Sequence, residues 1–251
     1  MHYTDIHCHC LPAIDDGPAT MAETLSLCRA MVNDGISSVI ATPHQLGRFD
    51  LGNEPEKIRN QVNILNENLK QNGIAITVLP GADVRLDERI CQLLRDDKIL
   101  TLADGGKYLL LEFPDQVLID IEPLLVELET IGIQTIISHP ERHSILARQP
   151  KMLFEWLKHS VHLQITAASL LGNFGATAQT AAWNFLKSGL VSMIATDAHN
   201  LSGRRPCMRA AYEAVKNKLG RKAADSVCIE NPLRVFKGEN IPAALSVSGI
   251  I

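Results

Sequence analysis

The chain alternates between short apolar runs and stretches with the period of an amphipathic helix. The apolar runs, rich in β-branched residues, lie at 3–9, 37–44, 75–84, 108–113, 134–139, 161–166 and 191–199. Helical periodicity occurs at 19–34, 54–72, 86–96, 117–131, 150–158, 175–189 and 203–219. This alternation predicts an α/β fold with a parallel sheet, either closed as a barrel or open with helices on both faces.

No linker divides the chain. Composition does not change along its 251 residues, and no segment is rich in Ser or Pro. We therefore expect one domain over 1–251, with 240–251 as a docked or frayed tail. Four predicted helices are followed by a glycine suited to a left-handed C-terminal cap, at Gly35, Gly73, Gly132 and Gly189.

Composition excludes several classes of protein. The formal net charge is −4 and no basic run occurs, which argues against a sequence-independent nucleic-acid binder. No apolar stretch reaches the ~20 residues that a membrane span needs, and the first residues do not form a signal peptide. The six cysteines are scattered, and Cys8 and Cys10 lack the spacing of a structural zinc site. We expect reduced thiols and a cytoplasmic protein.

Side chains able to bind metal follow six of the seven apolar runs. His7 and His9 are two residues apart on the first strand, so both point to the same side, and Asp197 and His199 repeat this spacing. With Asp16 from the first loop, the candidate set is His7, His9, Asp16, His44, Asp83, Glu112, His139, Asp197 and His199. Because the carboxyl ends of parallel strands share one edge of a sheet, these side chains should converge.

Each candidate alone has an ordinary structural interpretation. Asp16 or Asp83 could cap a helix, and Glu112 could pair with Arg142. Together, four carboxylates at one edge would repel each other, and burying them uncompensated is costly. Divalent cations would neutralise them, and imidazole with carboxylate suits Mn, Fe or Zn. Nine donors are too many for one ion, so the residues predict two or three.

The motifs that carry these residues resemble a known family. They are DIHCH with LPAIDDGP, ATPH, PGAD, LLLEFP, SHPER and TDAHN with GR, in order from residue 4 to about 205. They are similar to the polymerase and histidinol phosphatase (PHP) superfamily. Within it, they are most similar to the bacterial manganese-dependent protein-tyrosine phosphatases of capsular and exopolysaccharide synthesis. The resemblance implies a distorted seven-stranded TIM-like (β/α)7 barrel that binds three metal ions, with Mn²⁺ expected and Fe or Zn as alternatives.

The resemblance also implies how the donors divide among the ions. One ion would take His7, His9, Asp83 and Asp197; a second would share Asp83 and add Glu112 and His139; a third would take Asp16, His44 and His199. The family usually has Glu where this chain has Asp83, which shortens the reach by ~1.5 Å and leaves the number of ions open between two and three.

The mechanism that follows is hydrolysis of a phosphate monoester. Water would attack phosphorus in line while the cations neutralise the developing charge. The resemblance implies that Arg142 and Arg204 clamp the phosphoryl oxygens, for which guanidinium groups are well suited. Asp197 or His199 would orient the water. Each arginine could instead form an ordinary surface salt bridge.

Three functions are compared on this basis. The first is a protein-tyrosine phosphatase acting on phosphotyrosine protein, with the tail of a bacterial tyrosine kinase as its expected partner. The second is a small-molecule phosphatase of the histidinol-phosphate type, or a phosphodiesterase. The third is a non-catalytic partner of a polysaccharide export complex. A thiol phosphatase using Cys228 and Arg234 is rejected, because the intervening residues contain no glycine and include a proline and a glutamate.

Overall fold

Parallel strands form two sheets in the computed structural model, which describes residues 2–49, 52–114 and 116–242. The strands are β1 Tyr3–Cys8, β2 Ile36–Ala41, β3 His44–Gln45, β4 Thr77–Pro80, β5 Asp83–Arg85, β6 Tyr108–Glu112, β7 Gln134–Ser138, β8 Val161–Thr166 and β9 Val191–Ala195. The smaller sheet has the order β1-β2-β4, and the larger has the order β3-β5-β6-β7-β8-β9. The predicted α/β class with parallel strands is confirmed.

Helices connect most of the strands. They are α1 Met21–Asp34, α2 Pro55–Gln71, α3 Ile90–Arg95, α4 Glu122–Thr130, α5 Lys151–Trp156, α6 Ala167–Leu170, α7 Gly175–Lys187, α8 Met208–Leu219, α9 Arg221–Asp225 and α10 Asn231–Phe236, with a π-helix at Ser226–Glu230 and 3₁₀ turns at Gly47–Phe49 and Leu102–Asp104. The predicted glycine stops are present; Gly35 ends α1 with φ 93°. In the part of the chain that is described, no helix is long and apolar enough to cross a membrane.

Two of the predicted strands are each broken into two. The run 37–44 becomes β2 and β3, and the run 75–84 becomes β4 and β5. Pro43 interrupts the first run because proline cannot donate to a strand ladder. At the second break, a Cβ on Gly81 would lie 2.7 Å from the Ile40 side chain, so only glycine allows the two segments to approach this closely. The prediction of seven continuous strands was therefore wrong at these two places.

The two sheets also meet beside β1 and β9. Cys8 forms an isolated parallel bridge with Ala198. The amide of Asp197 donates to the carbonyl of His7 at 2.8 Å, and the amide of His9 donates to the carbonyl of Ala198 at 2.9 Å. These bonds fix the loop after β9 against the end of β1, so candidate ligands from the two ends of the chain lie side by side.

The apolar core has two parts. The larger lies between the sheets and the helices. The smaller takes side chains from both sheets and from the C-terminal segment: Ile6, Ile40, Leu102, Tyr108, Leu110, Ile136, Met193, Ala195, Val235 and Ile241. The amide of Ile241 also donates to the Tyr108 hydroxyl at 3.2 Å. The beginning of the predicted 240–251 tail is therefore docked, and 243–251 lies outside the described residues.

Candidate metal centre

The structure brings all nine predicted ligands together at the carboxyl ends of the strands. Groups whose donor atoms lie within 4.8 Å of one another are His9, Asp16, His44 and His199; His7, His139 and Asp197; His7, His9 and Asp83; and His44, Asp83 and Glu112. His44 and Asp83 begin the short strands β3 and β5 instead of ending longer strands, because each predicted strand is interrupted just before these residues. That these groups bind metal stays a prediction.

The first part of the cluster is fully buried. The Nε2 atoms of His7 and His9 are 3.2 Å apart. Oδ1 of Asp197 lies 3.3 Å from His7 Nε2 and 3.4 Å from His9 Nε2. Oδ2 of Asp83 lies 3.5 Å from His7 Nε2, and all four side chains have no exposed surface. Two imidazoles and two carboxylates therefore face one small volume.

The second part is more open to solvent. Asp16 Oδ1 lies 3.3 Å from His199 Nε2 and 3.5 Å from His44 Nε2. His44 Nδ1 lies 3.4 Å from Asp83 Oδ2 and 3.7 Å from Glu112 Oε2. Asp83 thus lies between the two parts, despite its short side chain. His139 Nε2 is 3.9 Å from Glu112 Oε1, so these two groups lie at the edge of the cluster.

Neighbouring acceptors orient three of the histidines. Gln164 Oε1 is 2.9 Å from His7 Nδ1, and Asp15 Oδ2 is 2.6 Å from His9 Nδ1. The backbone carbonyl of Asp197 is 3.0 Å from His199 Nδ1. Because these oxygens accept and do not donate, each Nδ1 carries a hydrogen, and Nε2 faces the cluster as ligating histidines require.

Sequence reasoning missed Asp15 and Gln164. Asp15 lies beside Asp16 in the DD pair, and Gln164 is a polar residue inside the apolar run 161–166. Asn53 donates its side-chain amide to the His44 carbonyl at 2.9 Å, and Glu54 takes the N-cap position of α2. Such contacts cross between elements, so local sequence patterns give only a weak signal for them.

The electrostatics of the cluster depend on its carboxylates. Burial lowers the pKa of His9, but Asp15 and Asp197 outweigh this and raise it to about 10. Burial and the neighbouring His9 lower the pKa of His199 to about 4. Burial and the charge of Asp83 raise the pKa of Glu112. The negative charge that holds a proton on His9 equally favours a divalent cation.

Several buried side-chain atoms that could bind a cation have no hydrogen-bond partner among the described residues. Neither oxygen of Asp83 accepts a hydrogen bond, and the same holds for Asp197 Oδ1 and for His199 Nε2. Leaving such groups buried without a partner is costly. A divalent transition metal bonds to carboxylate oxygen and imidazole nitrogen together, so the donor set fits Mn, Fe or Zn.

Backbone strain marks two of the candidate ligands. His139 has φ 34° and Asp197 has φ 53°, both in the left-handed region that non-glycine residues rarely adopt. Strain of this kind is retained where the surrounding structure holds a residue in place, and it is common at functional sites.

Four arginines line the cavity above the cluster. The cavity measures about 400 Å³, and its walls include Arg48, Arg85, Arg142 and Arg204. Arg142 Nη1 is 2.5 Å from Asp197 Oδ2, and Arg204 Nη2 contacts the same oxygen. Both predicted clamp residues therefore lie at the cavity, while sequence reasoning missed Arg48 and Arg85.

The structure disfavours a capping role for Asp16, an ion pair between Glu112 and Arg142, and a catalytic role for Cys228. Thr20, not Asp16, caps α1. Glu112 pairs with Arg85 at 3.0 Å instead of with Arg142. The Cys228 side chain is fully buried within the π-helix, and burial raises the pKa of its thiol. A thiolate phosphate site at Cys228 therefore has no structural support.

The fold is that of an α/β protein, with parallel sheets and helices between their strands. The histidine and carboxylate cluster at the strand ends is a candidate site for more than one metal ion. The chain belongs to the capsular polysaccharide synthesis CpsB/CapC family, whose model matches residues 3–237. The resemblance inferred from the motifs is confirmed.

Named relatives agree with this assignment. Tyrosine-protein phosphatase YwqE of Bacillus subtilis (strain 168) is 35% identical over 217 residues, covering 86% of this chain and 85% of YwqE. Tyrosine-protein phosphatase CpsB of Streptococcus agalactiae serotype V is 28% identical, with 94% and 99% covered. A solved structure comes from work on YwqE of B. subtilis and CpsB of Streptococcus pneumoniae as metal-dependent tyrosine phosphatases. It superposes on this chain with a TM-score of 0.91 at 32% identity. The match covers 95% of this chain and 96% of that one.

Proposed function

We propose that the chain is a metal-dependent protein-tyrosine phosphatase of bacterial capsular or exopolysaccharide synthesis. The observation that carries this proposal is the gathering of nine histidine and carboxylate side chains beneath a cavity that four arginines line. The cluster supports hydrolysis, the arginines support an anionic substrate, and the names of the relatives supply phosphotyrosine as the substrate class.

The nine donors would hold two or three ions, with Mn²⁺ expected and Fe or Zn as alternatives. His7, His9, Asp83 and Asp197 form one set; Asp83, Glu112 and His139 form a second; Asp16, His44 and His199 form a third. The position of Asp83, between His7 and His44, supports its sharing by two ions. Bound cations would neutralise phosphoryl charge and lower the pKa of water.

The side chains of this protein would then bind and orient the reactants. Arg142 and Arg204 meet at Asp197 Oδ2, so their remaining N–H groups are available to phosphoryl oxygens in the cavity. Asp197 Oδ1 faces His7 and His9 at the same time. Asp197 would thereby couple the arginine pair to the proposed metal ligands, and Asp197 or His199 would orient the attacking water.

The remaining proposals concern architecture and setting. The broken strands β2–β3 and β4–β5 link the two sheets on one side, and the Cys8–Ala198 bridge links them on the other, which supports a distorted seven-stranded TIM-like barrel. All six cysteines are free thiols, which fits the cytoplasm. The proposed substrate is phosphotyrosine on protein, with a bacterial tyrosine kinase as the partner.

The experiment combines metal analysis with turnover. Purified protein is analysed for bound metal by mass spectrometry and assayed on p-nitrophenyl phosphate with Mn²⁺ and with chelator. We expect turnover that requires metal and falls by about 10³-fold or more in His9→Ala. The matched thiol variant, Cys228→Ser, should retain activity. Full activity in His9→Ala together with an inactive Cys228→Ser would overturn the proposal.

Substrate class needs a second comparison. We expect a phosphotyrosine peptide to be hydrolysed with a higher kcat/KM than histidinol phosphate. The reverse order would identify a small-molecule phosphatase. Bound metal without hydrolysis of either would favour the non-catalytic partner of an export complex.

A further inference from the structure

One wall of the cavity is apolar. Of the eleven described residues that line it, only Leu46 and Phe49 carry apolar side chains. Both belong to the segment between β3 and α2, and the other lining side chains are charged or are imidazoles. A ligand that is anionic throughout gains nothing from this wall. A ligand with an anionic group and an apolar group can use both sides of the cavity.

The backbone directs this segment toward the cavity. Leu46 has φ 67° and Gly47 has φ 58°, so two consecutive left-handed residues turn the chain before the 3₁₀ turn that carries Phe49. Gly47 tolerates this conformation readily, whereas Leu46 does so at a cost. Leu46 is nearly fully buried in this conformation, with 6% of its surface exposed.

Phe49 is held against the candidate metal centre. Its ring stacks on His44 with a centroid separation of 5.5 Å and an interplanar angle of 13°. The Arg48 guanidinium carbon lies 4.8 Å from the centroid of the same ring. Arg48 also donates to Asp16 Oδ2 at 3.0 Å. Phe49 is thus positioned from below by a candidate ligand, and part of its surface remains exposed to the cavity.

We propose that Phe49 is a specificity-determining residue that receives the aromatic ring of an aryl phosphate. This inference rests on the proposed phosphatase function. It identifies Phe49 as the residue that would distinguish aryl phosphate esters from alkyl phosphate esters. With the phosphoryl group at Arg142 and Arg204, the ester group would lie in the cavity that Phe49 also lines. An aryl ring there gains apolar and ring–ring contact with Phe49, and Arg48 adds a cation–π contact. The side chain of phosphoserine has no ring and gains neither.

The first measurement uses ligands that cannot be hydrolysed, so leaving-group chemistry plays no part. Phenylphosphonate and methylphosphonate are titrated by calorimetry into the Mn²⁺-loaded protein. We expect the native protein to prefer phenylphosphonate, and Phe49→Ala to lose about tenfold of that preference, which corresponds to about 1.4 kcal/mol. Methylphosphonate affinity should change by less than about twofold.

Two variants serve as controls. Phe154→Ala makes the same change at a side chain on α5 that is 39% exposed and does not line the cavity, and it should keep the native preference. Phe49→Tyr keeps an aromatic ring and should restore the preference. Thermal unfolding of each variant verifies that it is folded before the titration.

The outcomes separate this inference from the function on which it rests. If Phe49→Ala weakens both phosphonates equally, or lowers turnover of phosphotyrosine and phosphoserine peptides by the same factor, Phe49 only supports His44 and the inference is wrong. The phosphatase function then stands. If the native protein neither binds the phosphonates nor hydrolyses any phosphomonoester, both proposals fail.

Discussion

Buried histidines lie at both ends of the parallel strands, in opposite electrical surroundings. At the carboxyl ends, Asp15 and Asp197 overcome the effect of burial and raise the pKa of His9 to about 10. Near the amino ends, burial lowers the pKa of His162 to about 4. Its ring nitrogens lie 3.0 Å from the Gln134 side-chain oxygen and 3.2 Å from the Ser192 hydroxyl.

The difference shows that burial alone does not decide the charge of a histidine. Neutral partners keep His162 neutral, so it acts as a hydrogen-bonded part of the interior. Carboxylates around His9 favour positive charge, whether that charge is a proton or a metal ion. The sheets thus carry the charged candidate site at the carboxyl ends of their strands and neutral structural hydrogen bonds near the amino ends. Barrel enzymes show the same division. Three experiments test this division.

The largest expected effect is on turnover at the carboxyl ends. Arg142→Ala should lower kcat/KM for a phosphotyrosine peptide by about 10³-fold, because it removes a paired donor from the proposed phosphate clamp. Steady-state kinetics of the metal-loaded protein measures this. Arg148→Ala is the matched control, since Arg148 is exposed and does not line the cavity. An Arg142 variant with native kinetics would remove that residue from the mechanism.

The next effect is on the pH dependence of stability. His162 has a folded pKa of about 4 against an ordinary 6.5, so the unfolded chain takes up a proton first as pH falls. The free energy of unfolding should therefore decrease from about pH 6.5 down to about pH 4, by roughly 3 kcal/mol from this group.

His162→Gln should flatten that decrease. Urea unfolding of both proteins at pH 7 and near pH 4.5 measures the difference, and groups at the candidate metal centre contribute equally to both. If the two proteins lose stability in parallel, His162 has the same pKa in the folded and unfolded chain, and the proposed contrast between the two ends fails.

The smallest effect compares two glutamines that each hold a histidine. Gln164 orients His7 at the candidate metal centre, so Gln164→Ala should weaken Mn²⁺ binding by about 10- to 100-fold. Gln134 holds His162, so Gln134→Ala should leave Mn²⁺ binding unchanged and lower the free energy of unfolding by about 1 kcal/mol. Competition with a chelating dye measures the first quantity and urea unfolding the second. Equal effects on metal binding would show that the two ends are not separate.

The sequence was sufficient to predict which residues gather at the candidate site. His7, Glu112 and Asp197 lie far apart along the chain, yet each follows or ends an apolar run. The geometry of parallel strands brings such positions to one edge whatever the details of packing. This is why eight of the nine residues could be named from their positions at the ends of apolar runs, whereas Asp16 came from the loop after the first run.

The contacts that orient those residues were not predictable in the same way. Gln164 contacts His7 across 157 positions of sequence. Its own run also contains His162 and Thr166, so nothing local distinguishes Gln164 as the residue that orients a ligand. The strand break at Pro43 has a local cause, because proline cannot donate to a strand ladder. The break at Gly81 instead depends on the close approach of the Ile40 side chain, which the sequence does not show. The short helices α6, α9 and α10 contain too few turns for a periodic pattern, and our sequence interpretation omitted them.

The left-handed backbone at His139 and Asp197 has a consequence for protein engineering. Procedures that raise heat resistance often replace such residues with glycine, which relaxes the chain at that point. Here each replacement would delete a donor from the cluster and, at Asp197, the anchor of two arginines as well. A variant made by that rule would lose part of the proposed metal site, so these two positions belong outside any stabilising library.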